Sequence, residues 1–384
     1  MSDVSSGITV TSQIKQSLPE KKNSLIKVGL TNHGNTCYLN SVLQALYCCD
    51  DFRREIHCLL KVTKILNDKI EIPDKEYKTA IYINSLHVLF DGMDYHSTEG
   101  LSTFLYECRQ MKKDFNVNEQ QDAQEFLGFI LENVDDLRKY LLKVKPQLTF
   151  PPSAFDGKIS RSIFCCACNG IKNSEEPMNI VTMPLETDEK SNKASRYGSW
   201  SMFRWATMDS LVGENKYMCS RCKSNQDAYI FPWINQRPNN LIIHLCRFTT
   251  EMKSSGRIKS SKIITRFPTP LFITTYSYCF DGRVENLYDK QRRQLNHENP
   301  DTIRVQYKDR KLLDKVYGGY YLYAMIIHVG KSLHSGHYIT VKQCPKKASR
   351  WYMFDDLNIH EIDILELYEN PNYSPYILFY KLNE

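Results

Sequence analysis

The chain has 384 residues, enough for one large domain or two to three small ones, and its 42% apolar and 12% aromatic content can build real cores. Its net charge is only +6, from 50 basic and 44 acidic residues interleaved as in YDKQRRQLNHENPD, which reads as a solvated loop and argues against a nucleic-acid-binding stripe. No stretch approaches the roughly eighteen apolar residues of a membrane span, no basic-then-apolar leader opens the chain, and Ser2 excludes N-myristoylation. The expectation is a cytoplasmic or nuclear protein, with no membrane and no nucleic-acid partner. Its 13 cysteines are then mostly reduced, so that paired spacings point to metal and not to disulfides.

Residues 1–24 are polar and rich in Ser and Lys, and read as a flexible N-terminal tail. A mostly helical region follows, to about Lys145. It opens with GLTNHGNTCYLNSVLQALYCC, where Leu39, Val42, Leu43 and Leu46 recur at i, i+3, i+4 and i+7, one face of an amphipathic helix. Asn35 and Thr36 are N-cap types, and Gly34 allows a sharp turn before them. Cys37 then falls in the first turn, where free N–H groups and the helix dipole favour negative charge. A thiolate is the nucleophilic form of cysteine, so a cysteine at that junction points to chemistry more than to packing. A second helix, QDAQEFLGFILENV, puts Ala123, Phe126, Leu127, Ile130, Leu131 and Val134 on one face.

After Pro151 and Pro152 the pattern changes to short strand-like runs, NIVTMPL, AYIFPWI and LIIHLCRF, between polar turns. From Tyr320 the runs YYLYAMIIHVG, HYITVKQC, RWYMFDD and PYILFY carry the aromatic and β-branched residues of a sheet core. The polar segments 187–200 and 281–315 read as surface insertions. The fold class is α+β.

A nucleophilic thiol needs a histidine base and a group that fixes the imidazole tautomer. His337, in HSGHYITV, starts a strand after a glycine, and a hairpin to RWYMFDD would bring Asp355 beside it. His328 and His334 compete with His337, and Asp356 competes with Asp355. A second constellation is metal-like. Cys165 and Cys168 form one C-x-x-C and Cys219 and Cys222 another, a ligand set for one tetrahedral, structural zinc ion. Cys166 offers a second pairing within CCAC, and the two-residue gap favours Cys165 with Cys168.

These blocks together resemble the ubiquitin-specific protease family, the papain-like deubiquitinating cysteine proteases. GLTNHGNTCYLNSVLQALY resembles the cysteine box, QQDAQEFLGFIL the second shared block, LIIHLCRF a strand that follows the fingers, and YAMIIHVG…HSGHYITV…WYMFDDLNI…PYILFY the histidine box and chain end. The likeness runs from about residue 27 to 381. It implies a papain-like right-hand fold in a single catalytic domain, 25–384, with a helical thumb (about 25–150), zinc-stabilised β fingers (about 155–230) and a β-rich palm (about 231–384). By position, Cys37 matches the nucleophile, His337 the base and Asp355 the orienting acid. Asn32 matches the oxyanion-hole side chain and Asp122 the acid that meets the basic tail of ubiquitin; Asp356, the carboxylate adjacent to Asp355, is an auxiliary candidate that could polarise the oxyanion site. Gly336 and Gly34 would leave room for a narrow Gly-Gly tail. The implied reaction is hydrolysis of the peptide or isopeptide bond after the last glycine of ubiquitin. The short thumb opening and LQALYCC resemble the small subgroup stimulated by a β-propeller (WD-repeat) partner.

The chain departs from the family at Cys246, where lysine is usual, at the extra thiol Cys166, and in the long 281–315 insertion. Two other functions compete. A catalytically weak ubiquitin-binding scaffold on the same fold would be favoured by loss of a triad residue, and none is lost. A zinc-dependent nucleic-acid binder would carry a dense basic face near the knuckles, and EEPMN stands there instead.

Overall fold

The computed structural model describes residues 27–68, 70–115, 118–185, 209–252, 258–264, 269–274, 319–330, 336–345 and 347–383. The expected tail, the segments 187–200 and 281–315, and His334 lie outside the described residues. In chain order the helices are α1 (Cys37–Tyr47), α2 (Asp50–Asn67), α3 (Asp74–Asp94), α4 (Gly100–Met111) and α5 (Ala123–Val144), with a short α6 (Ile364–Glu369) near the end. The strands before the histidine box are β1 (Gly157–Cys165), β2 (Ile171–Met178), β3 (Ile180–Pro184), β4 (Asp209–Leu211), β5 (Tyr217–Cys219), β6 (Ser224–Gln226), β7 (Ala228–Gln236), β8 (Asn240–Cys246), β9 (Phe248–Met252), β10 (Ile258–Lys262), β11 (Phe272–Thr274) and β12 (Gly319–Val329). Then come β13 (His337–Cys344), β14 (Lys347–Asp355), β15 (Asn358–Ile362) and β16 (Tyr373–Asn383). The class is α+β, and no helix among the described residues is long and apolar enough to cross a membrane.

The chain divides into two compact units, one comprising residues up to Ala154 together with His337–Asp363, the other Phe155–Gly336 with Ile364–Glu384. In the first, the five long helices enclose an aromatic core. Phe126 meets Tyr38 and Phe115 edge to face at 5.5 and 5.1 Å, and Tyr82 stacks on Phe104. Beside them β13, β14 and β15 form an antiparallel meander, with Thr340 opposite Phe354 and Asp355 opposite Asn358. In the second unit β2-β1-β7-β4 form one antiparallel sheet. A second sheet runs β12-β16-β8-β3, in which β3 pairs parallel with β8.

Helix α1 departs from its expected amphipathic character, because all eleven of its residues are buried. Two of its polar side chains donate inside the unit. Asn40 Nδ2 donates to the carbonyls of Leu30 and Thr31, and Gln44 Nε2 to that of Val28 at 2.6 Å. Along β13 the side chains alternate between faces. Thr340 and Lys342 share one face, and both reach α1: Thr340 Oγ1 donates to Ser41 O at 2.7 Å and Lys342 Nζ to Gln44 Oε1 at 2.7 Å. Lys342 is fully buried, with Nζ 3.7 Å from the centre of the Phe354 ring, and burial holds its ammonium below the ordinary lysine range. These bonds hold the helix that begins at Cys37 against the strand that begins at His337.

Candidate active site and metal centre

Cys37 is the first residue of α1 and is 4% exposed. Gly34, with φ of +115°, makes the turn that leads into the helix, a conformation glycine adopts at little cost. Thr36 occupies the N-cap position, but its side chain does not cap the helix: its hydroxyl accepts the His33 amide at 2.9 Å. Asn35 likewise turns away, donating to Asn118 O. The side chains expected to cap therefore brace the turn, and the first N–H groups of the helix are not taken by a capping side chain.

The meander supplies the partners. His337 opens β13 and Asp355 closes β14, and His337 Nε2 lies 2.6 Å from Asp355 Oδ1. Asp356 stands at 4.0 Å, outside hydrogen-bonding reach of that ring nitrogen. Cys37 acts on the His337 ring as well. Its influence is the largest of those that lift the imidazole to about 9, with Asp355 adding to it against the opposing effect of burial. With Nε2 engaged by Asp355, Nδ1 is the ring nitrogen left for the sulfur. The structure thus bonds imidazole to carboxylate, with the Cys37 thiol the strongest influence on the ring.

Asp356 has a different set of partners. It occupies the turn between β14 and β15 with φ of +51°, which Asp tolerates better than most residues. Its Oδ2 accepts from Asn32 Nδ2 at 2.8 Å, its Oδ1 from Asn40 Nδ2 at 2.7 Å, and its carbonyl from Leu30 N at 3.0 Å. Asn32 Oδ1 accepts from both the amide and the hydroxyl of Thr36. Asn32 is therefore clamped at both ends of its side chain, five residues before Cys37. Sequence reasoning missed Asn40 and Gln44, whose signal was a polar i, i+4 pair in a helix too apolar elsewhere to have a solvent face.

Asp122 is the N-cap of α5, where Oδ1 accepts from the amides of Gln124 and Glu125. Gly336 is required by packing, since a Cβ there would sit 2.2 Å from His328 Nε2. His328 itself is 1% exposed, with Nδ1 2.7 Å from Lys262 Nζ.

In the second unit Cys165, Cys168, Cys219 and Cys222 converge, their sulfurs all within 4.8 Å of one another. The Cys165–Cys222 and Cys168–Cys219 sulfurs are 3.9 and 3.7 Å apart. A tetrahedral ion with metal–sulfur bonds of about 2.3 Å needs sulfurs about 3.8 Å apart, so the cage has the size of such an ion. Each knuckle is closed by a residue with positive φ, Asn169 and Lys223. The Cys222 amide donates to Cys219 Sγ and is the leading reason that thiol is held down to about 6. The crowded sulfurs, Cys168 first, push Cys222 up to about 12. A cation would relieve that crowding by making all four thiolates favourable. Cys166 is exposed and outside the cage.

Comparison with known proteins agrees with this geometry. A family model described as ubiquitin carboxyl-terminal hydrolase matches residues 28–380. Ubiquitin carboxyl-terminal hydrolase 12 of Salmo salar is 26% identical over 384 residues, covering 92% of this chain and 89% of its own length. Ubiquitin carboxyl-terminal hydrolase 24 of Mus musculus is 27% identical over 341 residues, which is 88% of this chain but 12% of that longer protein. Among solved structures, the SAGA Ubp8/Sgf11/Sus1/Sgf73 DUB module bound to ubiquitin aldehyde superposes with a TM-score of 0.68 at 19% identity, over 98% of this chain and 74% of that one. The same module bound to monoubiquitin gives 0.67. The solved structures establish a shared fold, and the family model spans nearly the whole chain: it belongs to the ubiquitin carboxyl-terminal hydrolase family.

Proposed function

We propose that Cys37, His337 and Asp355 perform the hydrolysis for which this family is named. The chain is a cysteine-type deubiquitinating hydrolase, and the proposal assigns its working parts. The observation that carries it is His337, bonded to Asp355 at 2.6 Å and influenced most strongly by Cys37. The Cys37 sulfur attacks the carbonyl carbon of the last glycine of ubiquitin. His337 then protonates the departing amine, leaving a thioester on Cys37. Water, deprotonated by His337, hydrolyses that thioester and regenerates the thiol. Asp355 keeps the imidazole in the tautomer and orientation this needs. Asn32 and the Cys37 N–H donate to the developing oxyanion, and Asp356 holds Asn32 in place. The scaffold alternative is not favoured, since nucleophile, base and orienting acid are all present and His337 is bonded to Asp355.

Three further readings belong with this one. The four-cysteine cage holds zinc, whose closed thiolate shell makes it structural: when bound it ties the two knuckles together. Asp122, beyond capping α5, meets the basic tail of ubiquitin. The thumb, fingers and palm follow the boundaries implied by the resemblance, and a β-propeller partner gripping the fingers raises kcat by favouring the aligned site. The last is supported only by the sequence likeness, and steady-state kinetics showing no change on adding such a partner would remove it. The main reading is tested with ubiquitin carrying a C-terminal fluorogenic group. Cys37→Ala should abolish turnover, a loss on the order of a million-fold, while ubiquitin binding persists. Wild-type turnover by that variant would end the assignment.

A further inference from the structure

Helices α2 and α3 bring together two histidines that the cleavage site does not use. His57 Nδ1 lies 2.9 Å from His87 Nε2, with the rings inclined by only 29°. The other nitrogen of His87, Nδ1, is 3.1 Å from Asp91 Oδ2, one helical turn further along α3. A proton on His87 Nδ1, beside the Asp91 carboxylate, leaves Nε2 with a lone pair, and His57 Nδ1 then donates its hydrogen to it.

We infer that this pair is a binding site for a late first-row divalent cation, zinc being the probe of choice, in which the ion takes the place of the shared proton. Nitrogen–metal bonds of about 2.0–2.1 Å at tetrahedral angles place two ligand nitrogens about 3.3–3.4 Å apart. From 2.9 Å the rings need to part by only about 0.4–0.5 Å, while His57 shifts its hydrogen to Nε2. The carboxylate behind His87 is the outer-shell partner that metal-ligating imidazoles characteristically have, fixing tautomer and ring orientation. Imidazole donors select zinc, nickel or copper over magnesium or calcium. Burial, followed by His87, holds His57 below the ordinary histidine range, so it meets the ion as a neutral ligand. The charged neighbours are few: Lys61 acts on His57 and Arg53 on Asp91. His87 and Asp91 are 18% and 57% exposed, so water can complete the coordination shell. With the ion bound, α2 and α3 are clamped to one another.

The experiment is calorimetric titration of zinc into the full chain carrying its four-cysteine metal, in a Cys37→Ala background so that the thiol at α1 cannot contribute. One additional zinc per chain is expected. His57→Asn should abolish that binding, and Asp91→Asn, at an exposed position that should not disturb folding, should weaken it about 10–100-fold. Lowering the pH below the histidine range should release the ion as protons compete. No additional zinc, or an additional zinc whose affinity is the same in His57→Asn or in Asp91→Asn, would overturn the inference.

Discussion

Replacing Asp356 by Asn tests whether this carboxylate acts on Asn32 or on His337. In the native protein its two oxygens each accept one amide, Asn32 Nδ2 at 2.8 Å and Asn40 Nδ2 at 2.7 Å, in a side chain only 16% exposed. Asparagine keeps the shape and tolerates the φ of +51°. It turns one acceptor into a donor, however, so one of the two amides must face an N–H group. The loss is one charge-assisted hydrogen bond, about 1.5–3 kcal/mol. If Asn32 is the partner released, the cleavage reaction loses a positioned oxyanion donor, which costs about 10²–10³ in kcat. Alanine would be a poorer test, because it adds about 1–2 kcal/mol of left-handed backbone strain. The assay is kcat and KM on fluorogenic ubiquitin for Asn32→Ala, Asp356→Asn and the double variant. The expected pattern is a lower kcat with KM little changed, and a double variant no slower than Asn32→Ala alone. A double variant whose losses multiply, or an Asp356→Asn slower than Asn32→Ala, would show that Asp356 acts on His337 across the 4.0 Å gap and refute the positioning argument.

Two other predictions address pH and metal. His337 is raised from the ordinary histidine value of 6.5 to about 9, first by Cys37, so its protonated form is favoured in the folded state. The stability this adds is complete below about pH 6.5 and lost as pH rises through about 9, and kcat/KM should fall on the same alkaline limb. Asp355→Asn removes one of the raising influences and should move that limb to lower pH; an unmoved limb would contradict the assignment of Asp355. Elemental analysis should find about one zinc per chain in the four-cysteine cage, and Cys165→Ser or Cys219→Ser should lose it and lower Tm, whereas four freely titratable thiols and no metal would dismiss the zinc reading.

Local patterns carried much of this architecture. The 3.6-residue period marked α1 and α5, and the paired C-x-x-C knuckles marked a cage whose sulfurs do converge. The aromatic runs around His337 and Asp355 marked the hairpin that brings their side chains to 2.6 Å. What stayed hidden depends on tertiary contact. Asn40 and Gln44 went unread, because nothing local says that Leu30, Asp356 and Lys342 will meet them. Lys342 reads as a surface charge until Gln44 and the Phe354 ring enclose it. The parallel pairing of β3 with β8, Ile180 opposite Ile242, has no signature at that separation. Asp122 was read for its charge, whereas its local bonds are those of a helix cap. His57 and His87 were passed over for the same reason, since thirty residues separate two histidines that fold into contact.

The central claim is that Cys37 is the atom donor to the bond with ubiquitin. The most direct measurement is covalent capture: ubiquitin bearing a C-terminal electrophile is incubated with the wild-type chain, and the adduct is located by peptide mass spectrometry among the 13 cysteines. The account predicts a single adduct on Cys37, formed quickly, slowed severely by His337→Ala and absent in Cys37→Ala. An adduct on another cysteine, or capture undiminished by His337→Ala, would contradict it.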